Sequence, residues 1–384
     1  MKIKNLTKAA NRIKKAVAQE ERIILYGDAD LDGVTAVLIA DEAIKSLGGK
    51  VAAYYFPERE KEGYGVTRKA LKHLKQYAPG LLITFDLGIS NFEEIPLAKK
   101  LGFSVIVMDH HKALGKLPKA DIIVDPKQPG EKYPFKEFAA CGLSLQLAKA
   151  LLGKKMSDTL YQSMVELAAV GTIADMMARE QDNSQIIQDG LDALPYSWRP
   201  GIRAFLESDI FGDDASLEQK VQHMIAILNV RDTKNRRPGA FRLLSCPSLP
   251  KAKRTIDDFV EKHKLRRERV DRAADEIRMR IFHKKADPWV FEGDAAFEYV
   301  LLGALASIIS QETQKPAFIY TKSKTTLLGS VRAPSGHDTV KAMQSCREFL
   351  DTYGGHPQAS GFQTTADKEK DLRACLTQYF QKNK

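Results

Sequence analysis

Short apolar runs alternate with amphipathic stretches along the first 130 residues. Four runs contain almost only aliphatic or β-branched residues, at positions 22–26, 81–85, 105–108 and 122–124. Runs that are apolar throughout indicate strands buried on both faces, and stretches such as 35–46 follow a helical spacing instead. The pattern therefore predicts an α/β domain with a parallel sheet and helices on both of its faces.

The pattern changes twice further along the chain. Residues 139–175 have helical spacing, and residues 252–285 resemble one long helix with an apolar stripe and many basic side chains. After Pro288 strand-like runs return at 299–302, 317–320 and 326–331, with a helix at 304–311. We therefore predict a parallel-sheet α/β domain joined by a long helix to a smaller α/β domain. The predicted bounds are 1–195, 196–287 for the helical connector, and 288–384.

Composition is consistent with two domains and a polyanionic partner. The chain has 384 residues, of which 43% are hydrophobic, enough to fill two cores. The formal net charge of +10 fits either nucleic acid as a partner or merely a basic, soluble surface. No apolar leader or membrane span is visible, which predicts a soluble protein of the cytoplasm. The widely spaced cysteines predict neither a zinc knuckle nor a disulfide framework: Cys141, Cys246, Cys346 and Cys375.

An acidic residue follows each of the four predicted strands at its carboxyl end. These residues are Asp28, Asp86, Asp109 and Asp125. The carboxyl ends of parallel strands meet at one edge of a sheet, where α/β proteins place their sites. The first motif is D-x-D-x-D-G, whose three carboxylates repel one another unless cations lie among them. A calcium loop begins in the same way, but it requires Glu at its twelfth position, where this chain has Ile39.

Further ligand types join these acids. His110 and His111 follow Asp109 directly, and Asp175 lies among apolar and small residues. Taken singly, each has a plain structural interpretation: a helix-capping carboxylate, a histidine pair on a loop, or a satisfied buried aspartate. Taken together, hard oxygen ligands and imidazoles suit paired Mn²⁺ or Mg²⁺ better than a thiolate zinc site.

The order of the motifs resembles that of a known superfamily. D-x-D-x-D-G, D-x-G-I-S, D-H-H, D-P-x-Q-P-G, G-T-I-A-D-M and G-G-H-x-x-A-x-G follow one another between about residues 22 and 363. This order is similar to the DHH phosphoesterases with their C-terminal DHHA1 domain. The G-T-I-A-D and Q-P-G elements, with A-C-G-L between them, resemble the RecJ-type nucleases more than the family's pyrophosphatases or oligonucleotide phosphatases.

The resemblance implies a role for each matching residue. Asp86 would bridge two metal ions, His111 would face the scissile phosphate, and Asp109 would support an imidazole or fix the loop. Many relatives carry a histidine ligand where this chain has Tyr26, and Asp28 would replace it. The implied metal ligands are Asp28, Asp30, Asp32, Asp86, His110 and Asp175. The implied catalytic residues are Asp86, Asp109, His110 and His111.

In the C-terminal domain the resemblance implies phosphate binding. Gly354 and Gly355 would let the backbone approach a phosphate, His356 would donate to it, and Arg332 would bind it together with His111. The alternative for the two glycines is a tight turn.

The implied activity is metal-dependent exonucleolytic hydrolysis of single-stranded DNA, or RNA, to 5′-mononucleotides. The RecJ type implies the 5′-to-3′ direction and a place in DNA repair or recombination, although direction and sugar preference do not follow from individual residues. Single-stranded nucleic acid is the implied partner, with replication or repair proteins left open. One alternative is a phosphodiesterase of short oligonucleotides or cyclic dinucleotides. The other is a replisome scaffold, a class that keeps the fold and loses the acids.

Overall fold

The computed structural model describes residues 2–113, 115–211, 215–229, 232–234, 236–284 and 287–382. The chain divides into two compact units, Met1–Glu261 (unit 1) and Lys262–Lys384 (unit 2). The predicted three-part division with bounds at 195 and 287 stays a prediction.

A five-stranded parallel sheet forms the centre of unit 1, in the order β2-β1-β3-β4-β5. All four predicted strands are present, and the fifth, β2, lies at an edge and is only partly buried. A separate two-stranded ladder joins β6 and β7. The strands are β1 (Ile23–Gly27), β2 (Val51–Tyr55), β3 (Gly80–Phe85), β4 (Phe103–Met108), β5 (Ile122–Val124), β6 (Thr233–Lys234) and β7 (Arg237–Pro238).

Helices cover both faces of this sheet, which explains why its strands are apolar throughout. Along β1, Ile23 and Leu25 pack into one core with α1, α2, α6 and α7, whereas Ile24 and Tyr26 pack into a second core with α4 and α5. The helices are α1 (Leu6–Ala18), α2 (Leu31–Ser46), α3 (Arg59–Glu62), α4 (Arg68–Leu74), α5 (Glu94–Lys100), α6 (Ala140–Leu152), α7 (Asp158–Ala174), α8 (Gln181–Ala193), α9 (Pro200–Leu206), α10 (Leu217–Leu228) and α11 (Gly239–Leu244). A further helix, α12 (Leu249–Ile281), begins in unit 1 and ends in unit 2.

Unit 2 contains a mixed five-stranded sheet in the order β11-β12-β10-β9-β8, in which only β8 and β9 run parallel. One apolar core lies on each face of the sheet. The elements are β8 (Val290–Asp294), α13 (Leu302–Thr313), β9 (Ala317–Lys322), β10 (Thr326–Arg332), α14 (Thr339–Ser345), β11 (Thr352–His356), β12 (Ala359–Thr365) and α15 (Glu369–Lys382). The α/β class predicted for both parts of the chain is confirmed.

Two predictions for unit 2 are wrong. Residues 299–302 are helical, because Tyr299–Leu301 form a 3-10 helix that leads into α13. A short apolar run does not distinguish a strand from a buried helical turn, and the strand lies earlier, at β8. The expected absence of disulfides is also wrong for one pair: Cys346 and Cys375 are bonded at 2.05 Å, although 29 positions separate them.

Within the described residues, no helix combines the length and the apolar character that a bilayer crossing requires.

Candidate metal centre

The loop between β1 and α2 carries three aspartates at the carboxyl edge of the parallel sheet. Asp30 is the N-cap of α2 and accepts the Gly33 N–H at 3.1 Å. A Cβ atom at position 33 would lie 2.6 Å from the Asp28 carbonyl oxygen, so the turn requires glycine there. Asp28 is fully buried, and Asp32 lies in the first turn of α2. The turn thus gathers three carboxylates at a helix N-terminus, where the helix dipole favours negative charge.

The ends of β3 and β4 bring further ligand candidates to the same edge. Asp86 is buried, follows β3 with a φ of 62°, and its N–H donates to the Met108 carbonyl at 3.0 Å. A non-glycine residue in this left-handed region is strained, as residues of functional sites often are. The Asp109 carboxylate accepts the backbone N–H groups of His110 and His111 at 2.8 and 3.1 Å. It also lies 2.8 Å from Nδ1 of His111, so it fixes both the loop and this ring.

His110 lies among three carboxylates that come from different elements. Its Nε2 is 3.1 Å from an Asp86 oxygen, 3.6 Å from Asp175 and 3.8 Å from Asp32. Asp175 is the C-cap of α7 and is about one third exposed, whereas Asp32 and Asp86 are buried. The cluster is therefore closed on the side of the sheet and open at the end of α7.

The ligand atoms form three groups, and within each group all atoms lie within 4.8 Å of one another. The groups are Asp86–His110–His111, Asp32–His110–Asp175 and Asp28–Asp30–Asp86. Because Asp86 and His110 each belong to two groups, the three form one continuous cluster, which we call the acid cage. Every metal ligand predicted from the sequence lies in it.

Burial governs the electrostatics of the acid cage. Burial and then the charges of neighbouring aspartates raise the pKa of Asp86 well above its usual range and that of Asp175 to about 8. Burial and then the His111 charge lower the pKa of His110 to about 3, so its ring is neutral and offers a lone pair. Carboxyl groups whose ionisation is suppressed by burial, next to a neutral imidazole, can act as ligands when a divalent cation binds. These residues therefore fit Mn²⁺ or Mg²⁺.

His111 has the opposite charge state. Burial lowers the pKa of its ring, but the hydrogen bond to Asp109 and the charge of Asp109 outweigh burial, and the pKa rises to about 9. The side chain is about one third exposed. His111 is therefore a cationic, accessible donor at neutral pH.

Sequence reasoning missed two residues beside the acid cage. The Arg59 guanidinium donates to Asp28 at 2.9 Å and to Asp30 at 2.8 Å, and it lies 5.3 Å from the centre of the Tyr64 ring. The Tyr64 hydroxyl donates to the Asp86 carbonyl at 3.2 Å. Both residues lie in the segment 57–65, whose alternating charges are typical of a solvated loop. The glycines on either side of Tyr64 are the one local signal of a constrained turn.

Asp32 also stabilises a distant helix. Its two oxygens accept the N–H groups of Ala140 and Cys141, each at 2.7 Å, at the N-terminus of α6. Tyr26, at the position where many relatives have a histidine, is fully buried and its hydroxyl donates to the Gly65 carbonyl at 3.0 Å. Tyr26 therefore has a structural partner of its own.

The predicted phosphate-binding residues of the C-terminal domain lie together in unit 2. The register pairs Ala359 of β12 with Arg332 on one side and with His356 on the other. Gly354 and Gly355 lie in β11, and Gly355 has a φ of 124° and no room for a Cβ beside the Ala359 carbonyl. The two glycines thus belong to a β-hairpin strand, with the turn after it. His111, the fifth predicted phosphate contact, lies in unit 1.

Comparisons with known proteins find relatives that share this fold. A relative from Bacillus subtilis (strain 168), named single-stranded-DNA-specific exonuclease RecJ, is 33% identical over 380 residues, which cover 98% of this chain and 48% of the relative. The chain thus spans about half the length of that relative. A crystal structure of exonuclease RecJ bound to manganese matches with a TM-score of 0.82 and 25% identity, over 99% of this chain and 95% of that one.

A second crystal structure, of RecJ from Thermus thermophilus in complex with Mn²⁺, matches with a TM-score of 0.84 and 25% identity, over 100% of this chain and 55% of that one. Two family models match within the chain: the DHH family, N-terminal domain, at residues 22–172, and the DHHA1 domain at residues 289–382. Together they take in more than half of the sequence. Residues 22–172 therefore match a DHH-family N-terminal domain, and residues 289–382 match a DHHA1 domain that follows it.

Proposed function

We propose that this chain is a two-metal exonuclease that hydrolyses single-stranded DNA in the 5′-to-3′ direction and releases 5′-mononucleotides during DNA repair or recombination. The observation that carries the proposal is the acid cage, with its surplus of buried carboxylates around a neutral imidazole. The similarity to relatives named single-stranded-DNA-specific exonucleases, and to RecJ structures that contain Mn²⁺, supports the same activity.

In this proposal the acid cage holds two Mn²⁺ or Mg²⁺ ions. Asp86 belongs to two of the three ligand groups, which favours it as the bridge. The bound ions would polarise a phosphoryl oxygen and lower the pKa of a bound water. The residues that would hold the ions are Asp28, Asp30, Asp32, Asp86, His110 and Asp175.

The remaining residues of the site bind and orient. His111, held by Asp109, would donate to a non-bridging phosphate oxygen and offset its charge. Asp109 is a positioning residue, because the loop and the ring that it holds would otherwise rotate. Arg59 would keep Asp28 and Asp30 in place, because its guanidinium donates to both.

Unit 2 offers donors for the phosphates of the strand. Arg332 is partly buried, and burial lowers its pKa. Its guanidinium donates to the Ser330 hydroxyl at 3.2 Å and to the Val331 carbonyl at 2.9 Å, both neutral, so its charge suits an anion. His356 lies across Ala359 from it. We therefore assign Arg332, Gly354, Gly355 and His356 to substrate binding.

Single-stranded nucleic acid is the proposed partner, and the cytoplasm the proposed compartment, with replication or repair proteins as further partners. The test uses single-stranded DNA and RNA labelled at the 5′ or the 3′ end, with Mn²⁺ or with EDTA. We expect mononucleotides from one end, and we expect EDTA or Asp86→Ala to reduce the rate at least about a thousandfold, since Asp86 would touch both ions. Asp158→Ala, at the exposed first turn of α7, is the matched acid-to-alanine control and should stay active.

The other outcomes decide between the alternatives. If long strands survive while dinucleotides or cyclic dinucleotides are cut, the chain is a phosphodiesterase of short substrates. If nothing is cut with Mn²⁺ or Mg²⁺, the scaffold class replaces the enzyme. The label that is released first fixes the direction of degradation.

A further inference from the structure

The helix that ends in Asp175 closes with an unusual residue. The Met176 N–H donates to the Ile173 carbonyl at 3.1 Å and the Met177 N–H to the Thr172 carbonyl at 3.3 Å, which together form a Schellman motif. The residue after the C-cap in this motif is left-handed and is usually glycine. Here it is Met176, with a φ of 55°. A side chain is therefore kept at a position where glycine would be less strained.

Strain alone does not mark Met176 as functional, because α1 ends in the same way. Glu20 occupies the equivalent position with a φ of 51°, and its N–H and that of Glu21 bond the Val17 and Ala16 carbonyls at 3.2 and 2.9 Å. Glu20 is charged, and it precedes β1 at the amino edge of the sheet, away from the acid cage. The two motifs therefore share their backbone strain and differ in side-chain chemistry and location.

Met176 differs from Glu20 in that its side chain is apolar, is 90% exposed and directly follows Asp175 of the acid cage in the sequence. Exposing a large apolar side chain forfeits the free energy of burying it. Tyr64, which is 53% exposed and bonded to the Asp86 backbone, is a second apolar group of this kind next to the acid cage. The cage thus combines ligands for cations with apolar surface at its margin.

Binding and hydrolysing a phosphate group do not require exposed apolar side chains. Nucleobases, in contrast, present apolar faces on which side chains stack. A thioether is polarisable and packs well against aromatic rings. We infer that Met176 is a substrate-contacting residue that packs against the base of a nucleotide at the cleaved end of the strand. This inference rests on the proposed function and deepens it: the enzyme should prefer strands that carry bases near the scissile bond over strands that lack them there.

The test compares two strands of equal length, one normal and one in which the first three nucleotides at the degraded end are abasic. The readout is the ratio of kcat/KM on the normal strand to kcat/KM on the abasic-ended strand, measured with Mn²⁺. In Met176→Gly we expect this ratio to fall about three- to tenfold relative to the unaltered protein, because only the normal strand loses a contact. Met176→Leu keeps an apolar side chain, so its ratio should stay close to that of the unaltered protein.

Glu20→Gly is the matched control, because it relieves the same strain in the same unit away from the acid cage. The ratio for Glu20→Gly should equal that of the unaltered protein. Any general effect of removing backbone strain from a Schellman motif would change the ratio in this control as well. If Met176→Gly leaves the ratio unchanged while the unaltered protein degrades both strands, Met176 does not contact the base and only this inference is lost. If the unaltered protein degrades neither strand, the proposed function fails and this inference fails with it.

Discussion

In the described part of unit 1, two clusters of mostly buried acids lie close to the helices α2 and α7, which contribute to both. The acid cage lies at the N-terminus of α2 and the C-terminus of α7. Further along the same helices, Glu42 and Glu166 both pair with Arg199, whose guanidinium is 2.9 Å from Glu166 and also donates to the Ser163 hydroxyl at 2.7 Å. We call these four residues the arginine cluster. Arg199 is 7% exposed, so this cluster contains its own buried cation.

The acid cage differs in how its charge is balanced. Among the described residues, Arg59 forms ion pairs with Asp28 and Asp30 at the rim, and it is itself more than one third exposed. The carboxylates around His110 lie next to its neutral ring, and the nearby cation, His111, is hydrogen-bonded to Asp109 at 2.8 Å. The arginine cluster contains the cation that balances its acids and needs no ligand. The acid cage surrounds a neutral ring that offers a lone pair, and an added metal ion would balance its acids.

Removing the internal cation should affect the two clusters very differently. Arg199→Ala leaves the buried Glu166 and the partly buried Glu42 without their cation and should lower the free energy of unfolding by about 3–5 kcal/mol. Arg59→Ala, in saturating Mn²⁺, should cost less than about 1 kcal/mol, because the rim arginine is partly exposed and the ions balance the acids. Urea unfolding of both variants in the same buffer measures this, with Arg199→Lys as the charge-preserving control. If both variants lose the same free energy of unfolding, the two clusters do not differ in how their acids are balanced.

Metal should stabilise through the acid cage alone. At a free Mn²⁺ concentration about 100 times its Kd, we expect the free energy of unfolding to rise by about 2.7 kcal/mol relative to EDTA. Asp86→Asn should lose most of this gain, since Asp86 belongs to two ligand groups. Glu42→Gln should keep it, and a metal response that depends on Glu42 would contradict the assignment. Thermal unfolding with and without EDTA is a sufficient measurement.

The arginine cluster should give a smaller, pH-dependent effect. Burial, opposed by the Arg199 charge, raises the pKa of Glu166 to about 7. The folded protein therefore keeps a proton that the unfolded chain releases near pH 4.5, so this group contributes stability at low pH that is lost as the pH rises through 7. Glu166→Gln should remove that loss, roughly 1–2 kcal/mol between about pH 5 and 7.5. Urea unfolding across this range, with Mn²⁺ constant, compares the variant with the unaltered protein, and parallel pH profiles would show that Glu166 does not titrate there.

The sequence revealed much of unit 1 because burial leaves a strong pattern. Strands covered on both faces are apolar throughout, and the parallel topology then places Asp28, Asp86 and Asp109 at one edge. The edge strand β2 was missed because it is only partly buried. Arg59 and Tyr64 were missed because their role depends on long-range geometry in a polar loop. The Cys346–Cys375 pair was missed for a similar reason, since residues far apart in sequence meet only once α14 and α15 have packed.

The bonds from Asp32 to α6 have a consequence for how the protein is made. Asp32 and its two N–H donors are separated by 108 and 109 positions, and Asp175 lies further still along the chain. During synthesis a chain that has exposed the first three aspartates lacks the helix that orients one of them and the helix that closes the cluster. A ribosome-bound fragment therefore cannot assemble the complete acid cage before α7 has emerged, so the full ligand set exists only when most of the first unit has been made.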